Sequence, residues 1–218
     1  MNILKISYLA IALCSAGLTF TACSDRTYEK TIDADTITWK QIDPSVRKFC
    51  LHMTADLIEL MADPDMQKKM AQNPMHAVSS MLEKAIDTDY SDLSDEYADY
   101  NDALKPIQRK MIDDIKELTA IPLPQNSDEL MSYEQKITDS MLDIRKKHQA
   151  DIDAINLRHP NAAILFDSPI GEETLLLKLL KKEINLENMM MQEVIATQDV
   201  QQASKNVAKK LRELADKQ

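Results

Sequence analysis

Residues 90–119 read YSDLSDEYADYNDALKPIQRKMIDDIKELT. Tyr90, Tyr97, Leu104, Met111 and Leu118 recur every seventh residue, and Leu93, Tyr100 and Ile107 follow the neighbouring line at the same interval. Apolar residues on two adjacent heptad lines make one seam along a helix, the kind that pairs with other helices in bundles and coiled coils. The seam predicts a long helix from about Ser91 to Thr119. Its start is acidic, with Asp87, Asp89, Asp92, Asp95, Glu96, Asp99 and Asp102. Carboxylates there gain from the helix dipole, and Asp89 or Ser91 can cap the first turn. A calcium loop beginning at Asp87 would need Gly at its sixth place and Glu at its twelfth. Asp92 and Ala98 stand there, so the EF-hand reading fails. Pro106 lies inside the seam, lacks an N–H and predicts a kink.

The segments on either side repeat the helical pattern. Asp43-Pro44 is a cap followed by a proline suited to the first helical position. Val46, Phe49, Cys50, Met53, Leu57, Leu60 and Met61 then form one stripe, which Asp63-Pro64 ends. Asn73-Pro74 opens a second helix carrying Met75, Val78, Leu82, Ala85 and Ile86. Past the Ile121-Pro122-Leu123-Pro124 turn, Asn126 and Glu129 have capping-box spacing. A fourth helix follows, with Leu130, Tyr133, Ile137, Met141, Ile144, His148, Ile152 and Ile155 on one face, up to Arg158-His159-Pro160. Residues 160–171 read as an apolar loop packed on the body. A last helix is expected from Glu172 to near Asp216. Its second half bears a thin stripe of Val200, Val207, Leu211 and Leu214 between polar flanks, and Lys205, Lys209, Lys210, Arg212 and Lys217. Those cations could face the acidic run across the bundle. The narrowness of the stripe favours the other expectation, that it is left over for another chain. The fold expected for residues 42–218 is therefore all-α: an elongated bundle of about five helices, the long ones coiled-coil-like.

Composition narrows the function. The chain has 218 residues, 36 acidic and 26 basic, with a net charge of −10. That acidity argues against a nucleic-acid partner, since phosphates demand Lys and Arg clusters. Gly17 and Gly171 are the only glycines, too few and too far apart for a phosphate-cradling loop or a nucleophile elbow. Cys50 and His52 are two apart, on different faces of a helix, so a catalytic pair is not expected. Cys50 lies in an apolar stripe and reads as a buried, inert thiol. His52, His76, His148 and His159 lack metal-ligand spacing. No catalytic constellation and no cofactor emerge.

Methionine stands out, with 13 against three Phe. Met61, Met66, Met70, Met75 and Met81 fall within one stretch, with His76 adjacent and His52-Met53 upstream. Thioethers are soft ligands suited to Cu(I), and they are also common fillers of helical cores. Met66, Met70, Met75 and His76 are the candidate metal ligands on this reading. Packing is the ordinary use of such residues.

The N-terminus reads as an address. Lys5 precedes an apolar run from Ile6 through Leu18 and Phe20, ending in the small residues Thr21-Ala22 before Cys23. The run is too short and too weakly flanked for a lasting membrane span. Phe20-Thr21-Ala22-Cys23, with Leu18 upstream, resembles the lipobox of bacterial lipoproteins; Phe20 stands where Leu is commoner. The resemblance covers residues 1–24. It implies removal of residues 1–22 as a signal peptide and acylation of Cys23 by diacylglyceryl and palmitate-type chains. Residues 23–41 are then a tether, docked by Trp39. Ser24 after the cysteine implies sorting to the outer membrane, with the domain facing the periplasm. Cys50 would be the only free thiol left. The function expected is a non-catalytic, lipid-anchored helical interaction or scaffold protein of the Gram-negative envelope. Its partner would be a protein or a second copy, met through a helical surface. The alternative expectation is a lipoprotein that binds Cu(I) or a small apolar ligand through the Met-rich second helix.

Overall fold

A computed structural model describes residues 37–87, 92–124, 126–167 and 173–218. The expected signal segment 1–22, Cys23, residues 24–36 of the expected tether, Asp89, Tyr90, Ser91, Gly171 and Glu172 lie outside the described residues. The fold is all-α. Nine α-helices lie among the described residues: α1 Pro44–Ala62, α2 Pro64–Gln72, α3 Pro74–Ile86, α4 Asp95–Glu117, α5 Ser127–Arg158, α6 Pro160–Phe166, α7 Leu175–Glu183, α8 Leu186–Thr197 and α9 Val200–Ala215. Short 3-10 turns at Trp39–Gln41 and Leu118–Ala120 complete the path.

Three of the first four boundaries follow from one device. Asp43, Asp63 and Asn73 each turn a side-chain oxygen onto the N–H of Ser45 (2.8 Å), Met66 (3.0 Å) and Met75 (3.0 Å). Each is followed by a proline whose missing N–H is harmless in the first turn. Asn73 also donates to the Thr119 carbonyl at 3.1 Å, tying α3 to the end of α4. Asn126 caps α5 by accepting from the Glu129 N–H at 3.0 Å. Pro106 sits exposed within α4, which continues through it.

The count of about five helices is replaced by nine for local reasons. The segment after Asp63 is polar except for Met66 and Met70, so α2 left little periodic signal. The 160–171 stretch contains α6 rather than loop alone. The long C-terminal helix breaks twice. Asn185 caps α8 through Asn188 N–H, and Asp199 caps α9 through Gln201 and Gln202 N–H. Side chains of Asn and Asp compete with the backbone ladder and favour helix starts over interiors. Between α8 and α9, Gln198 takes φ 54°, a left-handed turn that costs a non-glycine residue about 1 kcal/mol.

Two cores hold the helices. One joins α3, α4, α5 and α6 around Met75, Leu82, Tyr100, Met111, Ile115 and Met141. The other joins α1, α7 and α9 around Val46, Leu51, Leu180, Val207 and Leu211, and takes in Trp39 and Leu165. Trp39 thus docks the segment before α1 onto the body. Phe166 and Tyr97 pack against both cores, so the apolar interior is continuous. Phe166 meets the rings of Phe49, Tyr97 and Tyr100 at 6.2–6.3 Å. The heptad residues Leu104 and Met111, with Tyr100 and Ile107 beside them, are buried.

The expectation for the C-terminal stripe is corrected. Of the stripe, Val207 and Leu211 are fully buried with Ala208 against α1, Leu214 is half-buried and Val200 is 54% exposed, so the middle of the stripe is core rather than left over. A small-residue register explains it: Ala203, Ala208 and Ala215 let α9 approach α1 closely, so a thin stripe suffices. Nor do the C-terminal cations reach the acidic run through any ion pair among the described residues. Arg212 pairs with Asp56 and Glu59 of α1, and Lys210 with Glu193 of α8. Asp87, Asp92 and Asp102 pair with Arg109, Lys48 and Lys105.

Candidate functional site

α1, α2 and α3 meet at a small apolar cluster apart from the two main cores. Met66, Met70, Ala77 and Met81 are buried in it, with Leu57, Leu60 and Met61 packed at its edge. Met66 and Met70 share one face of α2, because residues four apart on a helix are neighbours. Met75 instead belongs to the α3–α6 core, and His76 is exposed. The four candidate metal ligands therefore do not converge: Met66 and Met70 stay together, whereas Met75 and His76 leave. Met81 takes their place, which helical spacing from an undetected α2 could not have shown.

An open cleft of about 380 Å³ lies beside this cluster, between α1 and α3. Met53, Leu57, Leu60, Met81 and Ala85 form its apolar lining; Asp56, Glu59, Asp63 and Lys84 supply polar groups. Two of the carboxylates are held by α9. Arg212 grips Glu59 with two nitrogens, at 3.0 and 2.8 Å, and Asp56 at 2.6 Å. These hydrogen bonds hold the Glu59 carboxyl below its ordinary range and raise the guanidinium further. Asp63 is engaged as the α2 cap.

Cys50 and His148 are held in the interior. Cys50 is buried in the α1–α7–α9 core, and desolvation pushes its thiol up to about 12, against a smaller opposing influence of Thr54. A thiol held protonated reacts slowly, since the thiolate is the nucleophile. Cys50 should therefore resist alkylation in the folded protein and label only on unfolding, as followed by mass spectrometry of its peptide. Rapid native labelling would show an exposed thiol and overturn this placement. His148 of α5 is buried with Nε2 2.9 Å from Asp114 of α4, which also takes Lys147 Nζ at 2.7 Å. Burial pushes the Asp114 carboxyl up, but hydrogen bonds from Lys147 and His148 hold it below the usual value. Among the described residues no three His, Cys, Asp or Glu side chains gather as a metal site.

A buried polar network was not anticipated. Tyr100 OH donates to Asn156 Oδ1 at 3.0 Å, and Asn156 Nδ2 donates to Asp167 Oδ2 at 2.8 Å. The other carboxylate oxygen of Asp167 stands 3.7 Å from Arg145 Nη2, whose side chain is 3% exposed. Arg145 Nε donates to Gln149, and Gln149 to Asp153. Asp167 ends α6, so the network pins that helix to α4 and α5. One signal was available: Arg145 follows Met141 by four and precedes Ile152 by seven, which puts a charge on the apolar face of α5.

α8 differs from every other α-helix whose burial is described. None of its twelve residues is buried. Met189, Met190 and Leu186 pack partly on the second core, while Met191 (55% exposed), Ile195 (72%) and then Val200 (54%) face solvent. Asn188, Gln192 and Ala196 flank them, so no charge interrupts this face between Glu187 and Asp199. Helical stability in proteins comes mainly from burying an apolar face, and α8 buries little within this chain. No protein-family profile, curated protein or solved structure matches the chain.

Proposed function

We propose that this chain is a lipid-anchored, non-catalytic helical interaction protein of the Gram-negative cell envelope. Acyl chains on Cys23 hold it in the outer membrane, and the helical body faces the periplasm. The observation that carries the interaction reading is the outward face of α8, with Met191, Ile195 and Val200 uncovered. The ionisable pairs described above serve caps, helix contacts and surface pairs, which suits a body built to present a surface. On the same reading α4 and α5 pair as a coiled-coil-like unit through the heptad lines of Tyr97, Leu104 and Met111. Two or more acyl chains make anchoring stable where one would be reversible. No helix among the described residues is long and apolar enough to cross a membrane.

The test combines anchor and surface. Cys23→Ala should move the protein from the detergent phase to the aqueous phase, with loss of the acyl mass from its N-terminal peptide. A photo-crosslinking residue placed at Ile195 should yield a discrete adduct in cells, and one at the exposed, polar Lys209 should not. An unmodified mature N-terminus other than Cys23 would sink the anchor. Equal crosslinking at both positions would sink the α8 surface.

A second reading, a lipoprotein that binds Cu(I) or a small apolar ligand, has one observation in its favour. The α1–α3 cleft is open, partly apolar in its lining and next to a methionine cluster.

A further inference from the structure

The cleft and the methionine cluster are not separate features. Leu57, Leu60 and Met81 belong to both, so the cleft brings solvent to the wall of the cluster. Three buried thioethers arrive there from two helices: Met66 and Met70 from one face of α2, and Met81 across from α3. Met61 packs at the edge and Met53 lines the cleft. Leucine would fill such positions at nearly the same volume, so packing alone does not require sulfur. Thioethers are soft, uncharged ligands and select Cu(I) over hard cations.

The charges around the cleft leave a small negative balance. Asp56, Glu59 and Asp63 lie along one side of α1 as carboxylates, against Lys84 on α3 and the Arg212 that bridges the first two. The chain as a whole carries −10, and such a field raises the local concentration of positive ions.

We propose that Met66, Met70 and Met81 form a Cu(I) site entered through the α1–α3 cleft. This ligand set keeps two of the residues suggested by the sequence and replaces Met75 and His76 with Met81. It deepens the second reading above and is independent of the lipid anchor and of α8. Cu(I) enters and leaves as the monovalent ion, exchanging carrier or solvent ligands for thioether sulfur. No electron is transferred and no covalent bond of the protein changes.

The experiment uses the purified full-length protein in detergent, without oxygen. Cu(I) is offered in competition with the chelator bicinchoninate while the methionine methyl groups are followed by carbon-13 NMR. The expected result is a single equivalent bound, with shifts confined to the cluster methyls. A Met66→Leu, Met70→Leu, Met81→Leu triple variant should bind about 100-fold more weakly, because it removes the soft ligands at nearly constant volume. A Met189→Leu, Met190→Leu, Met191→Leu triple variant should bind as the unaltered chain does. If the first triple variant fails to fold, Met70→Leu alone should weaken binding about 10-fold. The proposal is overturned if the chain does not compete for Cu(I), or if the cluster variant binds as before. Binding lost only on Cys50→Ala assigns the ion to the thiol and also overturns it. Uptake of a neutral fluorescent probe in the cleft without Cu(I) binding would leave the apolar-ligand reading standing and remove the metal site.

Discussion

Leu211→Ala should lower the unfolding free energy by about 3 kcal/mol, the middle of the range for emptying a fully buried leucine site. Leu211 has no exposed surface and lies in the core that joins α9 to α1, beside Val207 and Ala208. The residues it packs with are themselves on helices, so the surroundings cannot easily collapse into the space. For a domain of this size the melting temperature should fall by roughly 10 °C. Denaturant titration followed by circular dichroism measures the change, with Leu214→Ala, only half-buried, as the smaller comparison. A loss under about 1 kcal/mol would mean that the α9 face lies outside the core. Removing residues 199–218 altogether should abolish cooperative folding of the α1–α7–α9 half, the opposite of what a spare docking stripe would do.

Asp167→Ala should cost about 3 kcal/mol, because it withdraws a carboxylate from beside a guanidinium that is almost wholly out of water. The same change removes the acceptor of Asn156 Nδ2 and so disturbs the Tyr100 hydroxyl behind it. Asp167→Leu combined with Arg145→Met removes both charges together. Replacing a buried pair by apolar groups is often neutral, so the double variant should be more stable than either single one. The coupling expected from the cycle is about 1–3 kcal/mol, read from chemical denaturation midpoints. Additive losses would show that Arg145 and Asp167 do not sense one another across their 3.7 Å.

The all-α class was legible because it rests on local chemistry. Heptad and stripe spacing place Leu104, Met111, Ile137, Met141 and Ile152 on buried faces, where the structure has them. The Asp-Pro and Asn-Pro pairs at 43–44, 63–64 and 73–74 mark helix starts, since cap and ring act within one turn. The burial of Cys50 and Trp39 followed from the stripe and from the size of the indole. Breaks without such marks were missed. α2 has only two large apolar residues, α6 is seven residues long, and Asn185 and Asp199 interrupt a pattern that stays apolar on both sides.

What the sequence by itself determined is the helical class and the capped starts. Each depends on neighbours within a few residues. Which apolar face meets which partner was decided only by the tertiary structure. α9 is buried although its stripe is thin, because alanines on the same face let it approach α1. α8 carries more large apolar residues, and none of them is fully buried. Met81 joins Met66 and Met70 while Met75 turns to another core, because residues six apart lie on different faces of α3 and only the packing decides what each face meets. The Arg145–Asp167 contact spans two helices for the same reason: its energy is long-range in sequence, so nothing local announces it.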